Sequence, residues 1–206
     1  MEVERSNSDK IILHLCASEF GSDSKPYRDA GYDVRYITKD IGVENYHPPE
    51  NVYGIIANPP CTMFSIARSR AKTPRDLREG MRLVQQCLRI IWEASYDLPN
   101  PNQRHTELKF WVVENPFTGM LKGFLGKPAF VYSPEEFGDN FTKRTALWGK
   151  FNSPEKLPLF ERKLPKGQSV KDIFTPMTHN RDWEAITDAR SIASPYFTKA
   201  FFEANP

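Results

Sequence analysis

Cysteine is scarce in this 206-residue chain: there are three, at Cys16, Cys61 and Cys87, with no Cys-x-x-Cys pair. So sparse and odd a set excludes a disulfide framework and offers no zinc-site spacing. Long apolar runs are missing too, which excludes a membrane-spanning helix. Met1-Glu2-Val3-Glu4-Arg5 is charged and lacks the apolar centre of a signal peptide, so the chain is expected to stay in the cytoplasm. Charge of one sign is also lacking: 28 Lys and Arg against 26 Asp and Glu leave +2. A strongly basic nucleic-acid binder would show more, so any phosphate contact must come from a local patch. His14, His47, His105 and His179 form no ligand cluster, and no metal is expected. No internal repeat or low-complexity block is present.

What remains is ordinary globular composition, 39% hydrophobic and 26% charged, at a length that fits one domain with a sizeable core. Seventeen prolines, many beyond residue 95, point to long connections rather than a second domain. Residues 1–10 are polar and expected to fray. Ile11-Ile12-Leu13-His14-Leu15-Cys16-Ala17 reads as a buried strand running into a loop at Ser18-Glu19-Phe20-Gly21. Residues 25–30 suit a short helix closed by Gly31. Residues 33–38 and 52–57 read as further strands, the latter stopped by Asn58-Pro59-Pro60.

The strongest helical pattern follows. Thr73 is the expected N-cap, with Pro74 in the first turn and Asp76 at the positive end. Met81, Val84, Cys87, Leu88, Ile91 and Trp92 then mark one apolar face. Residues 98–106 read as a polar loop, 110–113, 129–132 and 146–151 as strands, and 194–204 as a terminal helix. Residues 152–192 are rich in proline and lysine and read as irregular. Strands alternating with helices predict a doubly wound, mostly parallel α/β sheet in a single domain spanning 1–206.

Ligands of open α/β sheets bind at the carboxyl ends of the strands, where this sequence carries unusual residues. One end reads Asn58-Pro59-Pro60-Cys61 and another Glu114-Asn115-Pro116. A free cysteine is most often a small buried residue. Directly after Pro-Pro at a strand end, however, Cys61 is a poor core position, and Glu114 lies at a neighbouring end. Phe197, Phe201 and Phe202 read as core, as do Cys87 and Cys16.

These motifs resemble the cytosine-C5 DNA methyltransferase family over nearly the whole chain. Pro59-Pro60-Cys61 looks like its catalytic loop, and Glu114-Asn115 is similar to its Glu-Asn-Val motif, with Pro116 in place of valine. Of Thr142-Lys143-Arg144-Thr145, only Arg144 matches the family's Gln-x-Arg-x-Arg element. The stretch beginning Ala193-Ser194-Pro195-Tyr196-Phe197 resembles the C-terminal element that completes the cofactor pocket. The resemblance implies a Rossmann-like S-adenosylmethionine-dependent core. In it Cys61 adds to C6 of cytosine, Glu114 binds and protonates N3, and Arg144 contacts the base or a phosphate. A thiolate is a strong nucleophile that can leave again, and the acid stabilises the charge that develops. Arg144 reads equally as a surface charge.

The cofactor is expected among Leu15, Ala17, Ser18, Gly21, Asp40, Asn58, Pro60 and Ser194. Here the chain departs from the family, since Cys16-Ala17-Ser18-Glu19-Phe20-Gly21 keeps only one glycine of a glycine-rich turn. Asp40 is placed to hold ribose hydroxyls or to reach adenine, and reads equally as a turn-capping carboxylate. Asn115, Arg68 and Arg70 are expected on the substrate side. The basic segment holding Arg68, Arg70, Lys72 and Arg75 suits phosphates or is simply solvated. Residues 62–75 are expected to be mobile for want of a buried face.

The family's inserted recognition domain has no room between Arg144 and Ala193. Lys156, Arg162, Lys163, Lys166 and Lys171 there could hold phosphates but not read bases. DNA that is single-stranded or otherwise unpaired is the expected substrate, unless a partner protein supplies specificity. Two other readings stay open. Asn58-Pro59-Pro60 also opens the signature of exocyclic-amine methyltransferases, although their fourth residue is aromatic. A non-catalytic nucleic-acid-binding relative is the other.

Overall fold

The computed structural model of the chain describes residues 6–18, 21–96, 108–162 and 191–206. Its strands are β1 (Ile11–Leu15), β2 (Asp33–Ile37), β3 (Val52–Ala57), β4 (Phe110–Pro116), β5 (Phe130–Tyr132) and β6 (Thr145–Lys150). The helices are α1 (Lys25–Asp29), α2 (Leu77–Ser95), α3 (Lys122–Leu125) and α4 (Pro195–Ala204). The strands form one mixed sheet in the order β2-β1-β3-β4-β6-β5. Neighbours from β2 to β4 are parallel, whereas β6 runs antiparallel to both β4 and β5. The molecule is thus an α/β protein with a mostly parallel sheet.

Pleating sends alternate residues to opposite faces, and each face is covered by helices. Leu13, Leu15, Ile55, Ala57 and Val113 pack with Val84, Cys87, Ile90 and Ile91 of α2. Ile12, Ile56, Phe110, Val112 and Leu147 pack with Tyr27 of α1 and with Phe197 and Phe201 of α4. Tyr132 and Phe197 stack at 3.6 Å between centroids, so the terminal aromatics are core, as the sequence suggests. On the second face lie His14, by its alternation with Ile12, and Glu114, by its alternation with Val112.

Several local expectations shift. Asn7–Asp9 forms a 3-10 turn rather than a frayed end, and the Asn7 amide donates to Ala30 O at 3.0 Å. The cap of α2 is Asp76, whose carboxylate accepts from Glu79 N at 2.9 Å, and not Thr73. Arg75 explains the delay: its guanidinium donates to Met63 O and Ser65 O, at 2.8 and 2.9 Å, and holds this stretch outside the helix. Ile90 is buried on α2, while Trp92 is 45% exposed. Cys16 lies just beyond β1, its Sγ 3.7 Å from that of Cys87. The expected loop at 98–106 lies outside the described residues, as does 163–190.

β4 is set against β6 with almost no clearance. A Cβ on Gly149 would come within 2.0 Å of the Trp111 carbonyl oxygen, which belongs to a paired strand and has nowhere to go. Gly149→Ala is therefore expected to lower the unfolding free energy by about 2 kcal/mol or more in denaturant titration. Unchanged stability would show that the β4–β6 register is not as described.

Candidate active site

Ala57 pairs with Val113 in the parallel β3–β4 ladder, so Asn58 and Glu114 follow side by side at the strand ends. Asn58 N donates to Leu15 O at 3.0 Å, which ties the same point to β1. This is where the sheet order reverses, with β2 on one side of β1 and β3 on the other. Pro59 and Pro60 then end the strand. Asn115, pointing to the opposite face from Glu114, donates from Nδ2 to Pro59 O at 3.0 Å. Asn115 is 1% exposed, and its Oδ1 has no hydrogen-bond partner.

Past the prolines, Cys61 O accepts from Phe64 N at 2.9 Å and Ser65 N at 2.7 Å, forming a tight turn. Phe64 is fully buried, and its carbonyl accepts from Met120 N at 3.0 Å. The half-buried Cys61 is thus fixed from before by the Asn115 clamp and from behind by the Phe64 anchor. The 62–75 segment accordingly has a buried foothold that its sequence pattern did not reveal.

Under the strand ends runs a buried polar chain. Ser24 Oγ lies 2.8 Å from His14 Nδ1, and His14 Nε2 lies 3.0 Å from Asn58 Oδ1. Asn58 Oδ1 can only accept, so Nε2 carries the proton and Nδ1 accepts from the serine hydroxyl. The Asn58 amide nitrogen then faces carboxylates: it lies 3.5 Å from Glu114 Oε2 and also hydrogen-bonds Asp23. Asp23 and Glu114 line one cavity of about 20 Å³, room for a water molecule, together with Ile56, Val112, Thr198 and Phe201. Loss of water raises both carboxyls above their ordinary range, and the Lys143 ammonium, the largest opposing influence, draws both back down. The negative charge of Asp23 raises Glu114 further. Burial likewise raises the Tyr132 phenol beside them.

Of the residues singled out in the sequence, Asn58 and Glu114 meet directly, with Cys61 and Asn115 on the adjoining loop and strand. The cation acting on Glu114 is Lys143, not Arg144. Arg144 is exposed, its guanidinium 4.3 Å over the Phe117 ring. Arg68 turns into its own segment, donating to Thr73 Oγ1 at 2.6 Å, and the side chain of Arg70 lies outside the described set. Leu15 and Ala17 are buried at the end of β1, Ser18 is half-buried, and Pro60 and Asp40 are exposed.

Gly21, in the left-handed region at φ 51°, has the Tyr36 ring 2.3 Å from where a Cβ would be. The glycine therefore lets Tyr36 pack against the turn. The sharp turn after β1 is made by Cys16, at φ 54°. Ser194 caps α4, accepting from Phe197 N at 3.0 Å and bonding Asp139, so its hydroxyl is engaged. Beside it, Ala193 N donates to Ser22 Oγ at 2.9 Å and docks the C-terminal segment on the loop after β1. Lys156 and Arg162 both pair with Glu136 and are not presented to a phosphate, while Lys163, Lys166 and Lys171 lie outside the described residues.

Sequence reasoning missed Asp23, Ser24, His14 and Lys143. A histidine inside an apolar strand run was the one available signal; the others depend on tertiary approach. Compared with known proteins, the chain matches no family model and no curated protein sequence. Among the described residues no helix is long and apolar enough to cross a membrane, and no group of His, Cys, Asp and Glu could hold a metal.

Burial pushes His14 down to about 4, against which its bond to Asn58 acts weakly. A base whose folded value is depressed stabilises the fold above its unfolded value, and that stability is lost as pH falls toward the folded value. The 1%-exposed His14 should therefore cost about 3 kcal/mol between pH 6.5 and 4. Asp23 and Glu114 act in the opposite sense, so the comparison needed is with His14→Gln. The unfolding free energy of the wild type relative to this variant should fall by that amount over the window. A difference independent of pH would contradict the burial of a neutral imidazole.

Proposed function

We propose that the chain is an S-adenosylmethionine-dependent methyltransferase that acts on C5 of cytosine in DNA. The observation that carries the reading is the convergence of Cys61 and Glu114 at the ends of adjacent parallel strands, joined by the Asn115–Pro59 clamp. Reversal of the strand order beside them, with helices on both faces, supports a doubly wound, Rossmann-like methyltransferase core.

In this reading Cys61, as the thiolate, adds to C6 of the base and makes C5 electron-rich. Glu114 is suited to N3 because its environment favours the protonated carboxyl, which donates a hydrogen bond and then the proton. Asn115 holds the carbonyl of Pro59 and so fixes the approach of Cys61. Loss of the C5 proton to water then expels the thiolate and restores the ring.

The residues present fit the cofactor in chemistry. The Cys16 turn opens the crevice between β1 and β3, the exposed Asp40 carboxylate can accept from ribose hydroxyls, and the Ala193–Ser194 segment closes on Ser22. When bound there, the cofactor supplies the electrophilic methyl group. Lys156 and Arg162 pair with Glu136 and so are not offered to DNA phosphates, and the substrate proposed is unpaired DNA, or DNA presented with a partner protein.

With labelled cofactor and cytosine-containing single-stranded DNA, Cys61→Ala should lose on the order of a thousandfold or more in kcat while keeping the wild-type fold by circular dichroism. Glu114→Gln should be nearly as damaging, since an amide has no proton to give N3. Near-normal turnover by Cys61→Ala would make that cysteine structural.

A further inference from the structure

We infer that Asp23 is a positioning residue for Glu114: the two carboxyls hold one proton between them, which keeps Glu114 able to donate. This rests on the role proposed for Glu114 and adds a residue from outside its motif. Both side chains line one small cavity between the sheet and α4, and both meet the Asn58 amide nitrogen. That nitrogen faces carboxyl oxygen, which leaves the amide oxygen to accept from the imidazole Nε2–H. Asn58 therefore offers N–H donors to both carboxyls and fixes them as a pair.

Charge balance then calls for a proton. Two carboxylates face one cation, Lys143 at the foot of β6. Tyr132 on β5 is raised and neutral, His14 on β1 is neutral near pH 7, and Thr198 from α4 carries no charge. A net negative charge at a part-buried site is costly, and one shared proton removes it. Like-charged carboxyls at one site cannot both ionise readily, so the last proton of the pair is held tightly.

The chemistry is self-restoring. The proton passes from Glu114 Oε to N3 of the base as the thiolate adds at C6, leaving Asp23 and Glu114 both ionised beside Lys143. That doubly charged state is unfavourable, so the proton returns to the pair when the thiolate leaves. Asp23 never needs to touch the base.

The test is a carbon-13 side-chain titration of the full chain, in the wild type, in Asp23→Asn and in Glu114→Gln, with methyl transfer followed over the same pH range. In Asp23→Asn the Glu114 midpoint should fall, because a like charge has gone and Lys143 is left unopposed. In Glu114→Gln the Asp23 midpoint should fall for the same reason, a reciprocal result that stands even if the first variant does not fold. Each unit of that fall removes about tenfold of the donating form on the alkaline side, so the alkaline limb of kcat should move to lower pH in Asp23→Asn. A general structural fault would lower the rate without moving the limb. Glu114 and Asp23 midpoints that ignore each other would overturn the inference. Reciprocal shifts without methyl transfer at any pH would uphold the shared proton and defeat the methyltransferase reading instead.

Discussion

Asn58 must serve two masters at the carboxyl end of the sheet, and the surrounding polar groups are arranged by that demand. Its oxygen is held by His14, its nitrogen faces Glu114 and Asp23, and its backbone N–H donates to the end of β1. An asparagine free to flip would present its oxygen to two carboxylates and repel them. The carboxyls on its far side keep the amide nitrogen turned to them, which leaves its oxygen to accept from the imidazole. The amide thus helps place the acid on β4, while burial favours its protonated form, and the acid is what separates this strand end from an ordinary one.

The loop carrying Cys61 is built by a second, separate device. Glu114 and Asn115 are neighbours in sequence but point to opposite sheet faces, so one strand serves both jobs. Glu114 reaches the buried polar chain, while Asn115 grips Pro59 across the sheet end. Phe64, packed near Phe124 of α3 with rings 6.1 Å apart, fixes the far side of the turn. In the proposed reaction, a thiolate held on so short an arc would lose little orientational entropy on meeting the base.

The strands were legible because short apolar runs bounded by Gly, Pro and Asn have few other readings, and α2 because its apolar face is long. Its start was misread because Thr73-Pro74 is a good local cap, whereas Arg75 anchors that stretch to carbonyls of a distant turn. Asn58, Cys61, Glu114 and Asn115 were legible from motif and strand-end position. Asp23 was not: between Ser22 and Ser24 it looks like a solvated loop residue, and the cavity it shares with Phe197, Thr198 and Phe201 of α4 exists only in the folded chain. Lys143 was passed over for Arg144 because a motif registers residue type, while the backbone at the start of β6 decides which side chain turns inward. Nor does the sequence show that the side of Gly21 where a Cβ would lie is filled by Tyr36.

Covalent attack by Cys61 on a cytosine ring is the step on which the proposed reaction turns. Its most direct measurement uses a single-stranded oligonucleotide whose cytosines carry fluorine at C5, incubated with the chain and S-adenosylmethionine and then digested for mass spectrometry. Fluorine cannot leave as the C5 proton does, so the adduct should persist as a nucleotide bonded to the peptide that contains Cys61, and disappear in Cys61→Ser. Methyl transfer to an exocyclic amine of an unmodified oligonucleotide, with no adduct on that peptide from the fluorinated one, would contradict the account.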